Sequence, residues 1–426
     1  MGPSDIDAFF AQREALDPQR YLELDYAFAC EGDPREAAAH LCSEQSTAQW
    51  CRVGVDEDLR PRFAAKVIDL EVAPPGVASP RAGLTPCRVT VAHPIENFGA
   101  RLPNLLSAVA GEGVFFVPKI PRIRLVDIRF PDAFLGRFRG PRFGVAGLRH
   151  LLGITERPFF FGVIKPNLGL SPKAFSALGQ EALLGGLDVV KDDEMLADTP
   201  WSPLVERCAR LGDARRRAER LTGERKLYLA NITDEVDRLI VLHDQAVAHG
   251  ANAVMLNVLP VGLSAARMMR DHATVPLVAH FPMIAAMARD PDFGVHARVL
   301  TLLQRLAGFD VIIMPGFGSR MMTPDSEVMA CIDACRQPLG PIAQSLPVPG
   351  GSDWAGTLAD VYGRVGSVDF GFVPGRGVFS HPDGPRAGAM SIRQAWQAIH
   401  AGDTVAHAAG SMPELAAALR AFGTRD

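Results

Sequence analysis

From Phe159 onward one pattern repeats: a short apolar run, a polar or glycine-rich ending, then a helical stretch. The runs are FFFGVIKP (159–166), LDVVKDDE (187–194), KLYLANIT (226–233), NAVMLNVL (252–259), VPLVAHFP (275–282), DVIIMPG (310–316), LPVPGG (346–351) and VDFGFVPG (368–375). Runs this continuously apolar suit strands buried on both faces, as in a parallel sheet covered by helices. Between them, stretches such as PKAFSALGQEALLGG, EVDRLIVLHDQAVAHG and HARVLTLLQRLAG read as helices. Eight such units in about 260 residues predict a TIM (β/α)8 barrel.

The first part of the chain reads differently. Residues 21–30 alternate as a strand, and residues 34–43 read as a helix with Pro34 in its first turn. Strand-like stretches follow within 51–72 and at 88–93. Strands mixed with a few helices predict a ferredoxin-like α+β domain. The run 114–141, rich in Pro, Gly and Arg, is expected to be its tail and a linker. The expected organisation is therefore an N-terminal α+β domain over 1–145 and a barrel over 146–426, an α/β protein overall.

Composition removes several classes of function. Lys and Arg total 44 and Asp and Glu 48, so no broad basic field is present for nucleic acid. No apolar run reaches the length of a membrane span. The N-terminus lacks a basic start followed by an apolar core, so no signal peptide is expected. Seven scattered cysteines without a CxxC pair predict reduced thiols in a cytoplasmic protein, and no zinc.

In a barrel of this kind the chemistry lies at the C-terminal ends of the strands. Those ends carry Lys165, then Lys191-Asp192-Asp193-Glu194, Asn231, Asn257 and His280. The last three carry the glycine turns PGFG (315–318), PGGSD (349–353) and PGRG (374–377). Along a strand Lys191 and Asp193 face one way and Glu194 the other. If the chain leaves strand geometry at the rim, both carboxylates can meet one ion, and hard oxygen donors suit Mg2+. A lysine beside a divalent cation is driven towards its neutral amine. In that form Lys165 could take a proton from a carbon next to a carbonyl. Bare N–H groups at Gly350, Gly351, Gly375 and Gly377 suit a phosphate.

These residues resemble the RuBisCO large-subunit family over most of the chain. GVIKPNLGLSPKAF (162–175) is similar to that family's first-strand loop, and GGLDVVKDDE (185–194) to its metal motif. The resemblance extends to Glu44-Gln45-Ser46-Thr47 with Trp50, the segment that in the family reaches the neighbouring subunit's site. It also covers Gly294-Val295-His296 with Arg298-Val299-Leu300. The resemblance implies Lys165 as the base and Lys191 as a CO2-carbamylated lysine. It implies Asp193 and Glu194 as Mg2+ ligands and His280 as an active-site histidine. Gly350, Gly351, Gly375 and Gly377 would hold a phosphate, and Glu44, Gln49 and Trp50 would come from the partner of a homodimer.

The departures shape the expected activity. The family's second first-loop lysine is Asn167 here, and the sixth-strand loop IIMPGFGSRMM (312–322) has no lysine to position CO2. The threonine before the tryptophan is Gln49, the distal-phosphate arginine is Phe281, and Arg376 adds a charge to a phosphate turn. Together they resemble the RuBisCO-like, form IV group, nearest the branch found in phototrophic bacteria. The expected activity is Mg2+-dependent enolisation or isomerisation of a singly phosphorylated, sugar-like substrate of the sulfur-salvage type, without CO2 fixation. The alternative is a catalytically silent phosphate-ligand binding or regulatory protein.

Overall fold

The computed structural model describes residues 3–49, 57–74, 82–318 and 320–423. Two compact units are present. The first runs to Arg139 and takes in Met283–Leu306 and Leu339–Ile342. The second holds Gly140–Pro282, Ala307–Pro338 and the chain from Ala343 onward. The expected division, 1–145 and 146–426, has one cut; the chain instead returns twice to its first unit.

The first unit is built on β1 (Tyr21–Cys30), β2 (Lys66–Val72), β3 (Thr85–Pro94) and β4 (Arg122–Arg129). Helices Pro34–Glu44 and Leu102–Val109 follow β1 and β3. The antiparallel order β4-β1-β3-β2 with this β-α-β-β-α-β sequence is the ferredoxin-like arrangement. Leu22, Leu24, Tyr26 and Phe28 alternate into the core from β1. Asp33 starts the first helix by accepting from the Arg35 N–H, with Pro34 behind it. A two-residue strand, Gly294–Val295, joins parallel to β4, so the motif at 294–300 belongs to this sheet.

β4 corrects the expected linker over 114–141. Its sequence RIRLVDIR buries Ile123, Leu125 and Ile128. Its outer arginines pair with carboxylates: Arg122 with Asp290, and Arg129 with Glu23 and Asp25. Those charges hide the strand from a hydropathy reading.

The second unit is an eight-stranded parallel sheet curled into a near-closed barrel. Its strands are β5 (Phe159–Val163), β6 (Val189–Lys191), β7 (Leu227–Asn231), β8 (Ala253–Asn257), β9 (Leu277–His280), β10 (Val311–Pro315), β11 (Leu346–Gly350) and β12 (Gly371–Phe372). They are hydrogen-bonded in the order β11-β10-β9-β8-β7-β6-β5-β12. All eight expected runs are strands, each shorter than the apolar run that contains it. The ring closes by side-chain packing at Gly371. A Cβ there would sit 2.6 Å from Val348 Cγ2 and 2.7 Å from Phe161, so only glycine lets β12 approach. Phe161, Val189, Leu229, Met255, Val278, Ile313 and Val348 fill the interior, with Val145, Leu148 and Leu152 of the helix Gly144–Leu152 in the same cluster. No helix among the described residues is long and apolar enough to cross a membrane.

Candidate active site at the barrel mouth

β6 ends at Lys191, and the next three residues leave strand geometry. The charges of the KDDE run therefore go separate ways. Asp192 turns inward. It receives Arg207 Nε and Nη2 at 3.2 and 3.1 Å, the Tyr228 hydroxyl at 2.9 Å and the Asn231 N–H at 3.0 Å. Asp192 and Arg207 are both fully buried, so Asp192 anchors the rim and is not a ligand. Lys191 is also fully buried, and its ammonium donates to the Asp192 carbonyl at 2.8 Å. Burial pushes its pKa down, reinforced by Lys165 and opposed by Glu194, Asp193 and Asp192.

Asp193 and Glu194 are left for the mouth. Asn231 Nδ2 donates to their two carbonyls at 3.2 and 3.0 Å, and Asn257 Nδ2 to that of Glu194 at 2.8 Å. The ends of β7 and β8 thus clamp the backbone that presents both carboxylates. Lys165 Nζ lies 3.0 Å from Asp193 Oδ2 and also donates to Asn167 Oδ1. The Lys165–Pro166 peptide is cis. His280 Nε2 is 3.6 Å from Glu194 Oε2, and the ring stacks on Phe281 with centroids 4.9 Å apart. Burial, then the charges of Lys191 and Lys165, hold its pKa well below the ordinary histidine value. Its Nδ1 is buried and has no hydrogen-bond partner among the described residues.

These groups line a cavity of about 590 Å³, within the range of small-molecule sites. Lys165, Asn167, Lys191, Glu194 and His280 lie on one arc of it. Gly350, Gly351, Ser352, Gly375 and Arg376 come from the ends of β11 and β12, and Arg320 and Met321 from the loop after β10. Phe281 and Ile313 supply apolar wall from the β9 and β10 ends. The glycine turns offer less than the sequence suggested. The Gly351 N–H donates to Asp353 Oδ2 at 3.0 Å and that of Gly375 to the Val373 carbonyl at 2.9 Å. Gly377 is required by packing, since a Cβ there would fall 2.6 Å from the Asp353 carbonyl. Cationic side chains are the stronger anion donors here: exposed Arg376, and Arg320, whose Nη1 lies 3.1 Å from Ser352 Oγ. Neither Ser352 nor Arg320 is among the site residues expected from the sequence.

The three residues expected from a partner lie in the first unit. Glu44 is exposed at the end of its helix. Gln49 is buried, with Oε1 accepting from the Leu59 N–H at 2.9 Å and Nε2 donating to the Glu57 carbonyl at 3.1 Å. Both ends of its amide serve a local turn. Trp50 lies outside the described residues. A second cleft of about 640 Å³ lies among Arg157, Asp188, Glu224, Arg393 and Trp396. Its charged walls pair with one another, and it sits at the N-terminal strand ends, away from the mouth.

The description "Ribulose bisphosphate carboxylase large chain, catalytic domain" matches residues 144–422, and the N-terminal domain of the same chain matches 27–134. The protein belongs to the RuBisCO large-chain family. Within it, the RuBisCO-like proteins of phototrophic bacteria are strongly similar. "Ribulose bisphosphate carboxylase-like protein 2" of Rhodopseudomonas palustris is 65% identical, with 100% of each chain covered. A relative from Rhizobium rhizogenes, "3-oxo-isoapionate-4-phosphate decarboxylase", is 33% identical over 94% of this chain and 98% of its own. Among solved structures, the octameric RuBisCO of Pyrococcus horikoshii superposes with a TM-score of 0.90 at 31% identity, covering 98% of this chain and 97% of that one.

Proposed function

We propose that this RuBisCO-like protein is an enolase or isomerase that removes a proton next to a carbonyl on a singly phosphorylated, sugar-like substrate, and that it does not fix CO2. The observation that carries this reading is the mixed lining of the mouth. Lys165 and Glu194 share one cavity with two cations, Arg320 and Arg376, and two apolar side chains, Phe281 and Ile313. A substrate with an anionic group and an apolar group matches that lining. The Rhizobium relative's name supports the substrate class, because its substrate carries an oxo group and one phosphate.

In this reading Lys165 acts as the base; its bonds to Asn167 and Asp193 hold it at the cavity wall. The residues fit Mg2+: Asp193 and Glu194 offer hard oxygen donors, and carbamylation would turn buried Lys191 from a cation into a third. Burial favours the neutral amine of Lys191, the form that reacts with CO2. When bound, the ion supplies positive charge to the oxygen of the developing enolate. His280, uncharged, offers Nδ1 to a polar group of the substrate. A homodimer, with Glu44 near the neighbouring mouth, completes the proposal.

Solvent deuterium exchange into a panel of ketose monophosphates tests it. Exchange is expected with Mg2+ and bicarbonate, and Lys165→Met should slow it by about 100-fold or more. Exchange that survives Lys165→Met removes that residue as base. No exchange across the panel, with phosphate-ligand binding intact, points to a binding protein instead. Incorporation of labelled CO2 into product would restore a carboxylase.

A further inference from the structure

A cluster on the outside of the barrel plays no part in the mouth. His243 and Asp244 are neighbours on the helix Leu239–Ala248 that follows β7. His272 ends the helix Leu263–His272 that follows β8. His243 Nδ1 and His272 Nε2 approach the same oxygen, Asp244 Oδ1, at 2.8 and 2.7 Å. The rings meet edge to face, with centroids 5.0 Å apart. Three donor atoms from two helices thus lie within 4.8 Å of one another.

Burial sets this group apart from a surface ion pair. The His243 side chain is 2% exposed, against 57% for Asp244 and 34% for His272. The inner donor is fixed by packing while the outer two face water, so an ion can enter and meet a ligand that cannot swing away. Among the described residues His243 Nε2 is buried without a partner, while Nδ1 bonds Asp244.

We propose that His243, Asp244 and His272 form a binding site for a divalent transition metal such as Zn2+. Two imidazoles and one carboxylate favour such ions over Mg2+ or Ca2+, which take oxygen donors. Tetrahedral zinc with bonds of about 2.0–2.2 Å sets its donors about 3.3–3.5 Å apart, so atoms now 2.7–2.8 Å apart must spread by about half an ångström or slightly more. The exposed Asp244 and the helix-end His272 can give that much. The remaining position is open to water. The bound ion would tie together the helices behind β7 and β8. No cysteine takes part, so cysteine spacing gave no sign of it, and His243 and His272 are too far apart in sequence to read as a motif.

The test is zinc titration of the chelator-treated full-length protein in excess Mg2+, by calorimetry and thermal unfolding, with His272→Ala and Asp244→Asn alongside. Wild type should bind one tight Zn2+ per chain at this site and unfold at a higher temperature with zinc. Changes to outer groups around a metal already weaken it about 10- to 100-fold, so losing a ligand should cost at least that. Both variants should lose the tight event and the thermal shift while unfolding cooperatively without zinc. Equal zinc affinity in wild type and both variants overturns the proposal, and so does the absence of tight binding to wild type. Neither result bears on Lys165 or the mouth.

Discussion

Arg207 reaches Asp192 with two of its nitrogens, and neither side chain meets solvent. The same guanidinium also donates to the Ser202 carbonyl at 2.6 Å and to the Ala197 carbonyl at 3.0 Å, so it ties the loop after β6 to its helix. Removing it would leave a buried carboxylate still receiving Tyr228 and Asn231 but without its countercharge. Breaking a buried pair from one side costs about 3–5 kcal/mol. Arg207→Leu should therefore lower the urea-unfolding free energy by about that amount. Loss within surface-pair values, under about 1 kcal/mol, would mean that Asp192 is hydrated or protonated instead. This role was not legible in the sequence. Arg207 sits in a helix crowded with charge, LVERCARLGDARRRAERLT, where an arginine reads as surface. Lys191, Asp193 and Glu194 were legible as a group because they directly follow a buried apolar run.

At the scale of elements, the N-terminal ends of β5 to β7 are tied by a charged network. Arg157 grips both oxygens of Asp188, at 2.6 and 2.7 Å, and the Phe160 N–H adds a third donor at 2.8 Å. Arg393 from the helix Gly384–His400 bonds Glu224, which also holds Lys226. Burial alone would raise the Asp188 pKa, but Arg157, with Arg393 and Lys226, brings it below the ordinary value. The unfolded chain, near 3.9, therefore takes up the proton first as pH falls. The stabilisation is complete above about pH 5 and is lost as pH drops through the lower folded-state value. Asp188→Asn should be less stable than wild type at pH 7, and the gap should narrow as pH falls below about 5 in urea unfolding. A gap that stays constant with pH would show that Asp188 titrates alike in both states. The barrel strands were legible because burial on both faces leaves unbroken apolar runs. β4 was not, because its arginines are neutralised by carboxylates distant in sequence, a pairing that composition alone cannot show.

For the whole molecule, the open matter is whether one chain suffices for a site. The mouth cavity is lined from a single unit, and Glu44 belongs to the other. The resemblance that assigned Glu44, Gln49 and Trp50 to a partner's site reads differently once Glu44 and Gln49 are located. Gln49 spends its amide on its own turn, which leaves exposed Glu44 as the described candidate. That segment was legible as a motif but not as a set of contacts, because reach between chains is not written in local sequence. Co-expression of two differently tagged inactive chains, Lys165→Met and Glu44→Gln, decides the matter. In a two-fold dimer with shared sites, half the dimers are mixed, and each of those has one site built from two intact halves. Exchange activity should then return to about a quarter of wild type, and the doubly tagged species should carry it. If each chain completes its own mouth, every chain in the mixture keeps one lesion in its own site and no activity returns. If Glu44→Gln alone is fully active, Glu44 serves neither site, and the mouth works with the residues of the second unit.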